Sequence, residues 1–254
     1  MGKSYMHYAR SFYYNLFNYG LKLSSREIKE SIISILIIAF ILSFKEWGDQ
    51  TFNFVTGITN FALAILFSII AMAVNQFGQR IIAVYYGYDP EYYGNTIGLM
   101  ISIVIAFASR GSIILFVPGY IAINHLAASR LGEFRYYTNQ WEWAKSSFGA
   151  PLFNFLFIVI LGFLPFREII LLRKLLMTNL WFAVFSLLPL PNNPGIYMFF
   201  GMRWFWAFAV GFTVGGCLLV LFTKPLIGLI GALLLGTAAI TWYFIKVDSL
   251  PEVS

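Results

Sequence analysis

The chain has 254 residues, of which 59% are hydrophobic and only 11% are charged, and its mean hydropathy is +0.76. Because soluble domains carry roughly 25% charged residues, this composition excludes an ordinary soluble domain and indicates an integral membrane protein. The formal net charge of +6 reflects topology and headgroup contact in such a protein, so we expect no nucleic-acid partner. The single cysteine, Cys217, excludes an intrachain disulfide and a multi-cysteine metal site.

The apolar runs are long and continuous rather than alternating, which favours a helical bundle over a barrel. We predict an all-α polytopic membrane protein with about six to seven transmembrane helices. It divides into a basic, aromatic, interfacial segment (1–30), a membrane domain (31–222), and an additional C-terminal transmembrane helix with a short tail (223–254). Clusters of Lys and Arg in 1–30 and 167–174 favour a cytoplasmic N-terminus, and we expect the protein in the cell membrane.

The first segment combines aromatic and basic residues at helical spacing over 5–29. This pattern fits either an interfacial helix on an anionic leaflet or a helix docked on the protein's own bundle. Ser24 or Ser25 together with Glu27 predicts a helix start, and the first span then follows over about 31–44.

The second span, 60–87, is long enough to cross a hydrocarbon core about 30 Å thick, yet it contains the amides Asn75, Gln76 and Gln79. Amides are costly in lipid unless they are hydrogen-bonded, so we expect them to face protein or water. One face of this helix is small and polar, and it consists of Asn60, Ala64, Ser68, Ala71, Asn75 and Gln79. We predict that this face is turned inward.

A third apolar segment, 96–123, is interrupted at 109–111 and again at Pro118. Neither half is long enough to cross alone, so either one broken helix spans the membrane or part of the segment is re-entrant. A central Arg is costly in lipid, so Arg110 in the first break either faces a wet interior or lies near an interface. It is one candidate for a residue that lines a crevice.

The remaining sequence predicts a headgroup-level loop over 124–147 and four further spans over about 148–165, 169–189, 203–222 and 225–245. The last two spans carry stripes of small residues, and the candidate helix-packing positions are Gly211, Gly215, Gly228 and Gly236. Such stripes let helix backbones approach closely, and these two pack either on each other or on a partner.

Four stretches resemble motifs of one protein family. Residues 75–79 have the shape of H-E-x-x-H, the helical motif that presents two zinc ligands and a general base. Residues 147–154 resemble S-x-A-G-P-x-x-N, residues 185–195 resemble F-N-L-L-P-x-P-x-L-D-G, and residues 116–119 resemble an aromatic/small-Pro-Gly element. In order and spacing these landmarks resemble the archaeal-type site-2 proteases, a family of intramembrane zinc metalloproteases, over roughly 26–222. The resemblance implies a site-2-protease-like core.

The resemblance also implies that the metal site is lost. It places Asn75 and Gln79 at the two ligand histidines, Gln76 at the general base and Pro194 at the third ligand. A catalytic zinc needs about three protein ligands, but carboxamides donate weakly and proline has no side-chain donor atom. The chain has only two histidines, His7 and His125, outside the confident spans. We therefore expect a catalytically inactive member of the family that holds no metal and no other cofactor.

The amides admit two interpretations. In the first, Asn75 and Gln79 satisfy Asn154, Asn192 or Asn193 where metal once held the helices, each bond contributing about 0.6 kcal/mol. In the second, the amide-lined crevice accepts an extended segment of another protein through backbone hydrogen bonds, as active relatives are thought to hold their substrates.

Three functions follow as hypotheses. The first is a pseudoprotease that acts as a membrane scaffold or binding protein for other transmembrane segments. The alternative is an accessory subunit built stably into a larger membrane complex. A transporter or channel is a third hypothesis, motivated by Arg110 and the broken third span, although the confident spans lack the Asp or Glu typical of ion relays. The expected partners are membrane lipids and other transmembrane helices or a membrane protein complex.

Overall fold

The computed structural model describes residues 10–48, 52–125 and 138–248. The predicted headgroup-level loop lies largely outside this range, as do the start of the N-terminal segment, His7 and the end of the C-terminal tail. The elements in chain order are a π-helical turn (Leu16–Gly20), α1 (Ser25–Ser43), α2 (Phe54–Tyr85), β1 (Tyr88–Gly94), α3 (Thr96–Ala108), β2 (Gly119–His125), α4 (Gln140–Gly162), α5 (Ile170–Phe185), α6 (Pro194–Gly201), α7 (Arg203–Phe222), α8 (Pro225–Tyr243) and a second π-helical turn (Phe244–Asp248).

The described chain is mostly helical, as the apolar runs predicted. Four helical stretches are long and apolar enough to cross a membrane, namely Phe54–Tyr85, Gln140–Gly162, Arg203–Phe222 and Pro225–Val247. The helix α1 carries charged residues in its first turns, and α5 has only 16 residues. A count of six to seven spans therefore stays a prediction.

The start of α1 is a capping box, as predicted from Ser24 and Glu27. The Glu27 backbone N–H donates to Ser24 Oγ at 3.2 Å, and the Ser24 N–H donates to Glu27 Oε2 at 2.8 Å. These bonds satisfy two of the backbone donors that a helix start leaves unpaired. Just before this start, Leu16 and Gly20 are buried against the bundle, and Gly20 packs on Val84 of α2. Of the two alternatives for the N-terminal segment, this end of it is docked on the protein itself.

The mostly helical chain also contains a two-stranded antiparallel hairpin, an element that the sequence prediction did not include. The strands β1 and β2 pair from Tyr88 with His125 to Gly94 with Gly119. Tyr88, Pro90 and Tyr92 are buried, while Asp89 and Glu91 are less buried, which is the two-residue period of a half-buried strand. The sequence prediction placed 119–123 at the end of the third apolar segment, after its second break, and assigned no strand there, because a short apolar run does not distinguish a strand from a helix.

The third apolar segment is re-entrant in its geometry. After β1 the helix α3 runs for 13 residues beside α1, the chain turns at Arg110 and Gly111, and it returns in extended form to Gly119. Because Gly94 and Gly119 are paired, the segment begins and ends at the same place. Arg110 adopts φ +52° at the far tip and is exposed, close to the end of α1.

The two basic clusters of the sequence lie at opposite ends of the bundle. Lys174 Nζ donates to Glu46 Oε2 at 2.8 Å, and Glu46 follows the C-terminal end of α1. The 1–30 cluster adjoins the other end of the same helix. By the positive-inside rule the 1–30 cluster therefore favours a cytoplasmic N-terminus and the 167–174 cluster favours the opposite orientation, so the orientation stays a prediction.

Helices α2 and α4 cross with their backbones in contact. A Cβ atom at Gly78 would clash with the carbonyl oxygen of Gly149, and a Cβ atom at Gly149 would clash with the carbonyl oxygen of Gly78. Glycine is needed at both positions because neither carbonyl can move without moving its helix. This crossing fixes the distance between the polar side chains of the two helices.

The small-residue stripes of α7 and α8 pack on each other. Gly211 and Gly215 face Leu235 of α8, Gly228 faces Val220 of α7, and Gly236 faces Phe208. The remaining surface of α8 is apolar and largely exposed. Of the two alternatives left by the sequence, the four glycines serve the contact within the chain.

Candidate functional site: an amide chain beside a buried ion pair

Four polar side chains form a continuous hydrogen-bonded chain in the interior. Asn75 Nδ2 donates to Asn154 Oδ1 and to Ser186 Oγ, both at 2.9 Å, and Asn154 Nδ2 donates to Asn179 Oδ1 at 3.0 Å. Asn154 Nδ2 also donates to the Ala71 carbonyl at 3.0 Å. These residues lie on α2, α4 and α5 and at the end of α5, and Asn75, Asn154, Asn179 and Ser186 are all buried. This hydrogen-bonded chain of side chains, the amide chain, therefore connects the three helices α2, α4 and α5.

Gln79 continues the chain to the hairpin. Its Nε2 donates to Asn75 Oδ1 at 3.3 Å, and its Oε1 accepts from the backbone N–H of Ile121 at 3.4 Å. Ser146 Oγ donates to the Gln79 carbonyl at 3.2 Å. Because the Ile121 N–H points away from β1, the Gln79 carboxamide caps the outer edge of β2.

The loop that follows α5 does not join this chain through the residues we predicted. Asn193 is buried, and its Nδ2 donates to the carbonyls of Phe185 and Leu188. It therefore caps the C-terminal end of α5. Asn192 adopts φ +53°, and its carbonyl accepts from Asn95 Nδ2 at 3.4 Å. Of the three segments expected to meet, 75–79 and Asn154 do so, and the third contact comes from Ser186.

The other predicted site residues have separate positions. Pro194 is buried at the first turn of α6, where its missing N–H costs no helical bond. Gln76 leaves the chain and donates to Ser31 Oγ on α1 at 3.3 Å. Arg110 lies at the exposed tip of the re-entrant segment and does not line the amide chain.

A buried ion pair involves Arg80, the residue directly after Gln79, and was missed by the sequence reasoning. Arg80 forms a salt bridge with Glu27, and each side chain is only 3% exposed. Arg80 Nη1 also donates to the carbonyls of Gly20 and Pro90, at 3.0 and 3.3 Å. Glu27 Oε1 accepts in addition from the Tyr92 N–H at 2.7 Å. This pair therefore joins the N-terminal turn, α1, α2 and β1.

A sequence signal for this pair existed. Arg80 follows the amides directly within a long apolar helix, and a buried arginine requires an acidic partner. Glu27 had been given only the capping role. Beside this pair, the pKa of Asp89 on β1 is raised above its usual range by burial and then by the carboxylates of Glu91 and Glu27, while Arg80 acts in the opposite direction.

Metal-ligand chemistry is not assembled in the part of the chain that the structure describes. Within 10–48, 52–125 and 138–248, no group of three or more His, Cys, Asp or Glu side chains could hold a metal ion. The amide chain offers neutral oxygens that already accept hydrogen bonds. What this arrangement does chemically is hold helices in register.

Comparison with protein-family models, with curated proteins and with solved structures gave no match. The assignment to a family therefore depends on the four sequence stretches and the geometry above, and it is taken up as a proposal below.

We expect the Asn154→Leu substitution to lower the free energy of unfolding by about 1–3 kcal/mol. Leucine has a similar size but leaves Asn179 Oδ1 and the Ala71 carbonyl without their donor. Unfolding of the purified protein by SDS in mixed micelles measures the change. The control is Thr237→Val, which removes only a bond within α8 to Leu234. Equal stability of the Asn154 variant and the control would contradict a stabilising amide chain.

Proposed function

We propose that this protein is a catalytically inactive relative of the site-2 proteases that acts in the membrane as a binding or scaffold protein for other transmembrane segments. Support comes from the contact of 75–79 with Asn154 across the Gly78–Gly149 crossing, the arrangement that the resemblance implies. Amides and proline occupy the positions of the expected zinc ligands and base. The proposed cytoplasmic placement of the N-terminus in the cell membrane rests on the 1–30 cluster and the positive-inside rule.

The observation that carries the proposal is the extended segment between α3 and β2. Among the residues that the structure describes, the backbone groups of 114–117 make no hydrogen bond. Phe116 and Val117 are nonetheless buried, against a cluster that includes Phe182 and Phe185 of α5. An unpaired extended backbone inside a membrane protein is costly, and it is the template to which a second extended chain adds.

The amide chain itself is not the surface that receives a partner in this proposal. Its donors and acceptors are engaged with one another, and Gln79 already caps β2 at Ile121. The partner would instead be an unwound transmembrane segment that pairs with the backbone of Ile114 and Leu115, the partly exposed half of this stretch. The alternative function is an accessory subunit of a larger complex. It is favoured by α8, because one side of this helix packs on α7 while its broad opposite face is apolar and exposed.

Site-specific photocrosslinking in native membranes tests this proposal. A benzoylphenylalanine at Leu115, which is partly exposed, is expected to form an adduct with a transmembrane protein. The matched control places the same group at Ile230 on the exposed face of α8. Adducts from Leu115 alone support the binding function, and adducts from Ile230 alone support the accessory-subunit alternative. If neither position gives a protein adduct, the scaffold proposal fails.

We also expect purified protein to contain no stoichiometric zinc. Neutral carboxamides at Asn75 and Gln79 bind zinc weakly, and Pro194 supplies no ligand. Elemental analysis of protein prepared with added zinc checks this, with the Gln79→His variant as a comparison. About one zinc per chain in the unaltered protein, or proteolysis by the single variant, would contradict the inactive assignment.

A further inference from the structure

A cleft of about 260 Å³ lies between α1 and α2 on the outer side of the bundle. Ser31 and Ile35 line it from α1, and Ile69, Gln76 and Phe77 are among the residues that line it from α2. Ile69 and Phe77 are 45% and 41% exposed, so the cleft opens onto the outer apolar surface of a helix that is able to cross a membrane. Leu21 and Leu23, just before α1, also line it. Its contents are therefore drawn from the hydrocarbon region rather than from bulk water.

The inner wall of this cleft carries polar groups that lack partners. Arg80 lines the cleft, and its Nε atom is buried without a hydrogen bond, although its other nitrogens bind Glu27, Gly20 and Pro90. Gln76 donates to Ser31, and its Oε1 atom has no partner among the described residues. Arg80 Nε is too deeply buried to be reached from the cleft, but the Ser31 hydroxyl and the second N–H of Gln76 remain as donors at the inner wall. Free donors beside apolar walls call for an occupant with both an acceptor and an apolar part.

We propose that this cleft binds one acyl chain of a membrane glycerolipid, with the ester oxygen at the polar wall formed by Gln76 and Ser31. The apolar walls suit a hydrocarbon chain, and the volume lies below the roughly 300–1,000 Å³ of pockets that enclose whole drug-sized ligands. The exposed Lys22 lies between Leu21 and Leu23, where it can meet an anionic headgroup. This inference does not depend on the proposed scaffold function.

The charge state of the wall favours an ester over a free fatty acid. The guanidinium of Arg80 is already neutralised by Glu27, so an incoming carboxylate would place a second negative charge beside that glutamate. A neutral ester carbonyl accepts a hydrogen bond from the Ser31 hydroxyl or the Gln76 amide without this repulsion. A packed transmembrane helix is a poorer fit, because a cleft of this volume admits a single chain rather than the face of a helix.

Photolabelling in proteoliposomes tests the site. The probes are phosphatidylglycerol with a diazirine in the middle of one acyl chain, the matching phosphatidylcholine, and the free diazirine fatty acid. Mass spectrometry of digested protein reports which residues are labelled. We expect the phospholipid probes to label 69–77 and 31–35 above the level of 226–235 on the exposed face of α8, and the fatty acid to label the cleft less.

Two variants make the test specific. Ala73 is exposed and lines the cleft, so Ala73→Trp fills it and should reduce its labelling to the level of the α8 face. The control, Ala238→Trp, adds the same bulk to exposed α8 and should leave cleft labelling unchanged. Gln76→Leu keeps the size but removes the polar wall, and should lower phospholipid labelling about fivefold.

Three results would overturn the inference. One is equal labelling of the cleft and of the α8 face in the unaltered protein. Another is cleft labelling that survives both Ala73→Trp and Gln76→Leu, with the second variant deciding the question if the first does not fold. The third is stronger labelling by the free fatty acid than by either phospholipid, which would assign the cleft to a carboxylate ligand.

Discussion

We expect the Glu27→Gln substitution to lower the free energy of unfolding by about 3–5 kcal/mol, because it leaves a buried arginine without its counter-charge. Arg80 and Glu27 are each 3% exposed, and Glu27 also accepts from Tyr92 and Ser24. The two N–H groups bind different oxygens of Glu27, and glutamine keeps only one acceptor oxygen, so the loss combines the missing charge with one unsatisfied backbone donor. Reversible unfolding by SDS in mixed micelles provides the measurement.

The matched control lies one turn further along the same helix. The Glu30 side chain is 30% exposed, its salt bridge with Arg26 is 3.9 Å long, and glutamine there retains an acceptor for the Gly94 N–H. The Glu30→Gln variant should therefore lose no more than about 1 kcal/mol. Adding Arg80→Met to Glu27→Gln should recover much of the stability, since no unpaired charge then remains buried. If both variants lost the same free energy of unfolding, the buried ion pair would stabilise the protein no more than the exposed one does.

We expect Gly149→Ala to destabilise the protein by about 1–3 kcal/mol or more, although alanine is the better helix former. The new methyl group would meet the carbonyl oxygen of Gly78, so α2 and α4 would have to separate and the Asn75–Asn154 bond would lengthen. Thermal unfolding in detergent and SDS titration both measure this effect.

The control for the crossing is Gly231→Ala on α8. There the new methyl group meets only the far end of the flexible Leu219 side chain, which can rotate away. We expect Gly231→Ala to be neutral or stabilising by up to about 1 kcal/mol, because alanine has the higher helix propensity. A destabilisation at Gly231 as large as that at Gly149 would mean that any added methyl group is harmful and that the crossing is not special.

Hydropathy and periodicity determined the class of this protein and the direction of its polar face. Long apolar runs require helices in lipid, because every backbone polar group must be satisfied within the segment. The spacing of Asn60, Ser68, Asn75 and Gln79 placed them on one side of α2, and Ser68, Asn75 and Gln79 are buried. The Ser24–Glu27 capping box was also readable, because its bonds join residues three apart in the chain.

Only the tertiary structure decided which distant groups meet. The hairpin joins strands separated by the whole re-entrant segment, and the preference of an apolar run for strand over helix was set by pairing with β1 rather than by its own composition. Asn75 binds Asn154 and Ser186 rather than Asn192 or Asn193. The amide of Asn193 is instead hydrogen-bonded to the C-terminal end of α5.

The same division explains the ion pair and the glycine stripes. Glu27 and Arg80 are 53 residues apart, so local pattern assigned Glu27 to a helix cap and gave Arg80 no partner. The small-residue stripes on α7 and α8 predicted close helix contacts, but the sequence left open whether the two helices contact each other or a partner. The sequence by itself determined which residues must avoid lipid and which small residues allow another helix to pack closely, since both are properties of single helices. The fold decided which neighbour satisfies each of them, because that choice depends on how the helices cross.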